Sequence, residues 1–169
     1  VAVAAETASS AGDEDDDDVV VEEQQIRITD VLLRNEGGEE STSVTHGEAV
    51  EIVIRYEATS PVDDLAFGYA IHGENGVHIC GSHTAIARVQ VPPAPVGAGQ
   101  VSFRIPDLPL TPGTYELSAA IADSHIQRIY DRKDRVTKMT VRRGSVPAGA
   151  GFIEMPGTWE FGRTREPSA

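Results

Sequence analysis

The stretch "LPLTPGTYELSAAIADS", residues Leu108–Ser124, decides the fold class. Pro109 and Pro112 lack an amide donor and fix φ, so the segment before Gly113 is neither a helix nor a central strand, and "TPGT" reads as a turn. After the turn the pattern changes at once. Tyr115, Leu117, Ala119 and Ile121 fall on one face and Glu116, Ser118, Ala120 and Ala122 on the other, the period of two that marks a strand. The first face is apolar enough for a core. The second is small and mildly polar, and what covers it is the functional question.

The same period recurs on both sides of this stretch. "QQIRITDVLLRN" is a strand whose alternation slips near Asp30, as a bulge would make it. "AVEIVIRYEAT" places Val50, Ile52, Ile54 and Tyr56 on one face. "DLAFGYAIHGENGVHICGSHT" reads as a hairpin, with Leu65, Phe67, Tyr69 and Ile71 leading through "GENG" to Val77 and Ile79. "QVSFRI" turns Val101, Phe103 and Ile105 inward, and "VTKMTV" and a weaker "GAGFIEM" complete the set. The sum is an all-β chain of about eight strands, spaced as in a sandwich or barrel. No amphipathic helix interrupts it, and the proline-rich "VQVPPAPVGAG" is unsuited to a core strand. The expected core is Ile52, Ile54, Phe67, Tyr69, Ile71, Phe103, Tyr115, Leu117 and Ile121.

At 169 residues the chain is about one domain, large enough to bury a two-layer core without metals or disulfides. Its one cysteine, Cys80, excludes an internal disulfide and, with no signal peptide or apolar run of membrane length, fits a cytoplasmic setting. The missing initiator methionine suggests a piece of something longer. Of the formal charge of −13, nine units come from residues 1–23, which hold nine acids and no base, leaving −4 for the rest. The "GDEDDDD" run repels itself and buries nothing, so residues 1–23 are expected to be a disordered acidic linker. It lacks the glycine and glutamate spacing of a calcium loop. The sum looks like a warning against nucleic acid, which is not expected as a partner, but its distribution matters more, since most of the excess sits in this run rather than on the folded body.

The search for chemistry is mostly negative. The sequence has no phosphate loop, no dinucleotide fingerprint and no nucleophile elbow, so no residue is assigned a catalytic role and no cofactor is expected. His72, His78 and His83 cluster around the hairpin with Cys80 between them, and plain alternation puts His78 and Cys80 on one face. A zinc site there lacks paired spacings and further ligands, so outward histidines and a small buried thiol are the better reading. Asp63 and Asp64 are adjacent and favour turn capping over a hydrolytic carboxylate pair. His125, Arg128, Tyr130 and Asp131 form a polar and aromatic cluster at a strand end, either an ordinary loop with a packed tyrosine or a sugar contact.

The order "FGYAIHGENGVHICGSHT", "VSFRIPDLPLTPGTYELSAAIAD", "YDRKDRVTKMTV" and "GAGFIEMPGTWEF" resembles the carbohydrate-binding C-terminal domain of Wzt-type ATPase subunits of polysaccharide ABC exporters. The resemblance covers residues 24–161, leaving 162–169 as a tail. It is most specific at Leu108–Tyr115, the Tyr130-Asp131 pair and Gly151–Trp159, and it departs at His83, where the family often carries asparagine before threonine. It implies an immunoglobulin-like antiparallel sandwich that recognises a finished, O-antigen-like glycan and couples it to export. It also implies an ATPase domain upstream, a membrane permease as partner, a homodimer made by exchange of the C-terminal strand, and a location at the inner face of the cell membrane.

Small side chains on the outward face of the hairpin and of "YELSAAIAD" would leave a shallow trough able to hold a polymer. Ala66, Gly68 and Ala70 would lie beside Ser82 and Thr84 and near Ser118 and Ala120, with donors from His72, His78, His83 and Arg128 along the edge and Tyr130 close by. Two rivals stay open: an immunoglobulin-like module for dimerisation or protein contact, with a partner covering the trough, and a glycan-modifying enzyme, which would need two converging acids.

Overall fold

The structure is a computed structural model and describes residues 24–145, 147–159 and Phe161. The expectations for residues 1–23 and 162–169 lie outside the described residues. Eight strands follow one another: β1 (Ile26–Arg34), β2 (Ser43–Thr45), β3 (Val50–Ala58), β4 (Leu65–Gly73), β5 (His78–His83), β6 (Gly97–Ile105), β7 (Gly113–Asp123) and β8 (Ile129–Arg142). They form a three-stranded sheet, β1-β3-β6, and a five-stranded sheet, β2-β8-β7-β4-β5. No helix occurs among the described residues. This is the expected immunoglobulin-like sandwich, and all its strand pairs are antiparallel except β2 with β8.

The alternation in β7 does what its residue types dictate. Tyr115, Leu117, Ala119 and Ile121 are each 2 % exposed or less and meet Ile52, Ile54 and Leu33 of the facing sheet in one apolar cluster. The two prolines before β7 now have a purpose. The turn they make brings the Thr111 carbonyl to the Tyr115 hydroxyl, which donates to it at 2.7 Å while its ring is buried. A tyrosine at the start of a strand, tied to backbone a few residues upstream, is the tyrosine corner of immunoglobulin-type sandwiches.

Two expectations about strands are corrected. The "GAGFIEM" segment is not a strand of either sheet. It makes one isolated bridge, Leu110 with Ile153, and is held by Thr111 N–H donating to the Phe152 carbonyl and Glu154 N–H to the Pro109 carbonyl. Its two glycines and lack of alternation give it nothing to bury beyond Ile153. The eighth strand is β2 instead, three residues that pair in parallel with the end of β8. Among the expected core residues, Phe103 is 43 % exposed and Tyr69 half-buried; the two rings pack on each other, centroids 4.7 Å apart. The reason is topological: β6 and β5 are the edges of their sheets, so the sandwich is open where they face each other.

The opposite side is closed by side chains of β8. The Asp131 carboxylate accepts the Ile28 amide at 2.7 Å, and the Thr137 hydroxyl donates to the Val31 carbonyl. Edge groups of β1 that would face water or another strand are thereby satisfied. The β1 slip read from the sequence is present as a register shift between Ile28 and Asp30.

Candidate functional site

The outward face of β5, β4, β7 and β8 can be laid out from register alone. Ala66, Ala122 and Ile129 form one cross-strand row; His83, Gly68, Ala120 and Arg132 the next. Gly81, Ala70 and Ser118 form a third, and His78, His72 and Glu116 a fourth. Alanine and glycine occupy the middle of this surface and larger side chains its margins. A trough of about 360 Å³ results, lined by these rows without Glu116, together with Ile86 and Ile126 from the loops beyond one end. Gly81 is required by close approach, since a Cβ there would lie 2.7 Å from the Tyr69 carbonyl oxygen.

The expected site residues separate into those the trough gathers and those it does not. His72, His78, Ser82, His83, Ser118 and Ala120 line it. His72 and His78 sit edge to face with centroids 5.3 Å apart. His83 Nδ1 accepts the Ile86 amide at 3.3 Å, leaving Nε2 as the free nitrogen of the ring. Ser118 is only 5 % exposed: its hydroxyl accepts the Arg135 amide at 2.8 Å and lies 3.5 Å from His72 Nδ1. It anchors a bulge, because Leu117 pairs with Thr137 and Ala119 with Lys133, so that Asp134–Val136 loop out with Arg135 at φ 47°.

Thr84 does not line the trough, and Ser82, although part of the lining, is displaced in register. Register sets Ser82 opposite Tyr69, an inward residue, and the Thr84 hydroxyl accepts the Phe67 amide at the mouth of the sandwich. The cause is a bulge between Ile71 and His72, which shifts the alternation of β5 by one residue. The same bulge separates His78 from Cys80. His78 joins His72 outside, while Cys80 pairs with inward Ile71, and burial pushes its thiol up from its ordinary value.

Arg128 and Tyr130 lie apart from the trough, whose lining on β8 is Ile129 and Arg132. The Arg128 guanidinium stacks on the Tyr130 ring at 5.0 Å, and that ring packs against the core. A register irregularity between Ile121 and Ala122 rotates this part of β8. Arg132, Ile126 and Ile86 were missed by sequence reasoning. Arg132 alone was readable, by pairing β8 against β7 and asking what stands across from Ala120.

The hairpin loop between β7 and β8 is stiff. The Asp123 carboxylate accepts amides from His125, Gln127 and Arg128 at 2.8–3.0 Å, and these bonds, that of Gln127 foremost, hold its acidity below the usual carboxylate value. Ile126, inside this loop, has φ 56°, a left-handed conformation that a β-branched residue rarely adopts. Two arginines at the trough are ion-paired: Arg132 with Asp134 at 2.7 Å and Arg135 with Glu116 at 3.9 Å. No group of three or more His, Cys, Asp or Glu side chains converges on a metal position among the described residues. Nor is any helix long and apolar enough to cross a membrane.

Comparisons with known proteins bear on this arrangement. No curated protein matches the sequence. Among solved structures, the crystal structure of the C-terminal domain of wzt superposes with a TM-score of 0.69 at 17% identity, covering 80% of this chain and 83% of that one. A Bacteroides uniformis β-glucuronidase (TM-score 0.44, 12% identity, 65% of this chain and 14% of that one) is a more distant likeness. So is a Niemann-Pick type C2 protein from the Japanese carpenter ant (TM-score 0.44, 9% identity, 70% and 92%). A family model described as the Wzt C-terminal domain matches residues 20–155, most of the chain and every strand of both sheets, and the chain belongs to that family.

Proposed function

We propose that this domain is a non-catalytic carbohydrate-binding module of a polysaccharide ABC exporter, and that a cell-surface, O-antigen-like glycan lies in the trough across β5, β4, β7 and β8. In this reading the module acts in the cytoplasm, at the inner face of the membrane. An ATPase domain precedes it, a permease is its partner, and binding couples a finished polymer to export. The observation that carries the reading is the trough itself: a concave, small-residue floor on a stable sheet, with imidazoles, a guanidinium and hydroxyls at its margin. Sugar hydroxyls need such donors and acceptors around a surface that approaches the ring closely. The lining contains no carboxylate, so the pair of converging acids that a glycosidase uses is missing from the trough.

The test is a calorimetric titration of the chain with polysaccharide purified from the source cell. Saturable binding that Ala120→Trp abolishes supports the reading. Absence of binding, or release of reducing ends during the titration, ends it.

A dimer made by the C-terminal segment belongs to the same proposal. Met155, Trp159 and Phe161 are 80–97 % exposed, which is unusual for side chains so apolar, and β6 presents a nine-residue strand with no neighbour on its outer side among the described residues. Handing the segment to the β6 edge of a second copy would cover both.

A further inference from the structure

The four rows of the trough are not equivalent. At the Ala66 end every contributing side chain is aliphatic: Ala66, Ala122, Ile129, Ile126 and Ile86. At the other end, six residues or about 20 Å along β4, stand His72, His78 and Glu116, with Ser118 and Arg135 one row nearer. The three isoleucines are 70 % (Ile86), 45 % (Ile126) and 54 % (Ile129) exposed. Isolated exposed apolar side chains need no explanation, but three converging on the mouth of one cavity mark a binding surface.

What they would bind is constrained in three ways. First, the aliphatic end offers no aromatic plate: Phe67 and Tyr69 of β4 pack inward. Branched tips around an alanine floor suit a compact methyl group better than the flat face of a sugar ring. Second, the charges around the trough are balanced. Arg132 is held by Asp134 and Arg135 faces Glu116, so neither guanidinium is left without a counter-charge to take an anion. That complements a neutral ligand. Third, Ile126 is kept at φ 56°, where glycine or asparagine would sit at lower cost, and its side chain is directed to the cavity instead of the core. Strain held at a cavity rim by a three-amide carboxylate clamp is characteristic of ligand-contacting positions.

Building on the glycan reading above, we propose that the sugar seated at the aliphatic end of this trough is a neutral 6-deoxyhexose, its C6 methyl group between Ile126 and Ile129 and its hydroxyls toward His83 and Arg132 in the next row, with His72 and His78 left to a further residue of the polymer. Replacing methyl by hydroxymethyl would bury an unpaired hydroxyl against the isoleucines. Discrimination of this kind is modest, about tenfold to a hundredfold.

The full 169-residue chain is titrated against matched oligosaccharide pairs of equal linkage and length. Each pair sets a hexose beside its 6-deoxy counterpart in the manno, galacto and gluco series, and a uronic acid oligomer is added as an anionic probe. The expected result is binding in at least one series with the 6-deoxy member tighter by about tenfold or more, and a ratio close to one in Ile129→Asn and Ile126→Asn. Both positions are exposed, so these variants keep the fold, and their melting temperatures verify it. A hexose bound as tightly as its 6-deoxy partner, or the uronic acid bound more tightly than either, overturns the inference and leaves the glycan reading standing. Failure of every probe and of the source polysaccharide overturns both. If Ile129→Asn instead halves the sedimenting mass, the trough is an interface between copies, and the inference is overturned in favour of that occupant.

Discussion

Two neighbours on β7 with the same sequence expectation have opposite meanings at the scale of single residues. Ser118 and Ala120 both alternate outward, and both looked like floor. Ala120 is partly accessible and carries nothing, so Ala120→Trp is expected to abolish glycan binding with the melting temperature nearly unchanged, checked by calorimetry and thermal denaturation together. Ser118 is buried and accepts the amide that anchors the β8 bulge. Ser118→Val leaves that amide unpaired and is expected to cost about 1–3 kcal/mol of stability in denaturant titration, whatever it does to binding. The difference was not legible in one strand, because it depends on two extra residues in β8 that only the register reveals. Ile126 offers the converse trade. Ile126→Gly removes the left-handed strain of a branched residue and is expected to stabilise the domain by about 1 kcal/mol while weakening ligand binding; a variant that gains no stability would show that the loop is relaxed as it stands.

Whole elements were legible where alternation, turn chemistry and length agreed. β3, β4, β7 and the hairpin to β5 could be placed because their apolar residues keep period two between glycine, proline or asparagine turns. β2 and the Gly151–Glu154 segment could not be told apart in kind. A three-residue strand has too few positions to show a period, and an apolar segment that docks on one bridge shows the same residues as a strand. Bulges misled next: the one in the β4–β5 hairpin moved Ser82 inward and split His78 from Cys80. The two most determined local structures lend themselves to direct tests. Tyr115→Phe removes the hydroxyl that satisfies the Thr111 carbonyl and is expected to cost about 1–3 kcal/mol without changing the far-ultraviolet spectrum. Asp123 caps the β7–β8 loop as a carboxylate, and its acidity is held below the ordinary value in the folded state. Its contribution is therefore complete above about pH 4, where the unfolded chain's carboxyl is also ionised, and is lost as pH falls through the depressed folded value. Asp123→Ala removes both acceptor oxygens and is expected to make amide exchange at Gln127 and Arg128 fast at neutral pH, where the parent is expected to be protected.

At the scale of the whole molecule, the charge distribution and the open sheet edges describe a module built to be joined to something. Most of its net charge precedes β1, its sandwich is closed by β8 on one side and open between β5 and β6 on the other, and its most exposed apolar residues follow Ile153. The contacts of the C-terminal segment divide it into two parts with separable roles. Gly151–Glu154 is latched to its own chain at Pro109–Thr111, beside the buried Tyr115 hydroxyl, whereas Met155, Trp159 and Phe161 touch little of it. Two truncations therefore differ. A chain ending at Glu154 keeps the latch, so its melting temperature should stay close to the parent's while sedimentation equilibrium reports a monomer, because only the residues that the proposed dimer would offer to a second copy are gone. A chain ending at Ala148 also loses the bridge to Leu110 and the partner of the Thr111 amide, and should be both monomeric and measurably less stable. If the chain ending at Glu154 sediments as a dimer, strand exchange beyond Glu154 is excluded, and the open β6 edge must be covered by another element.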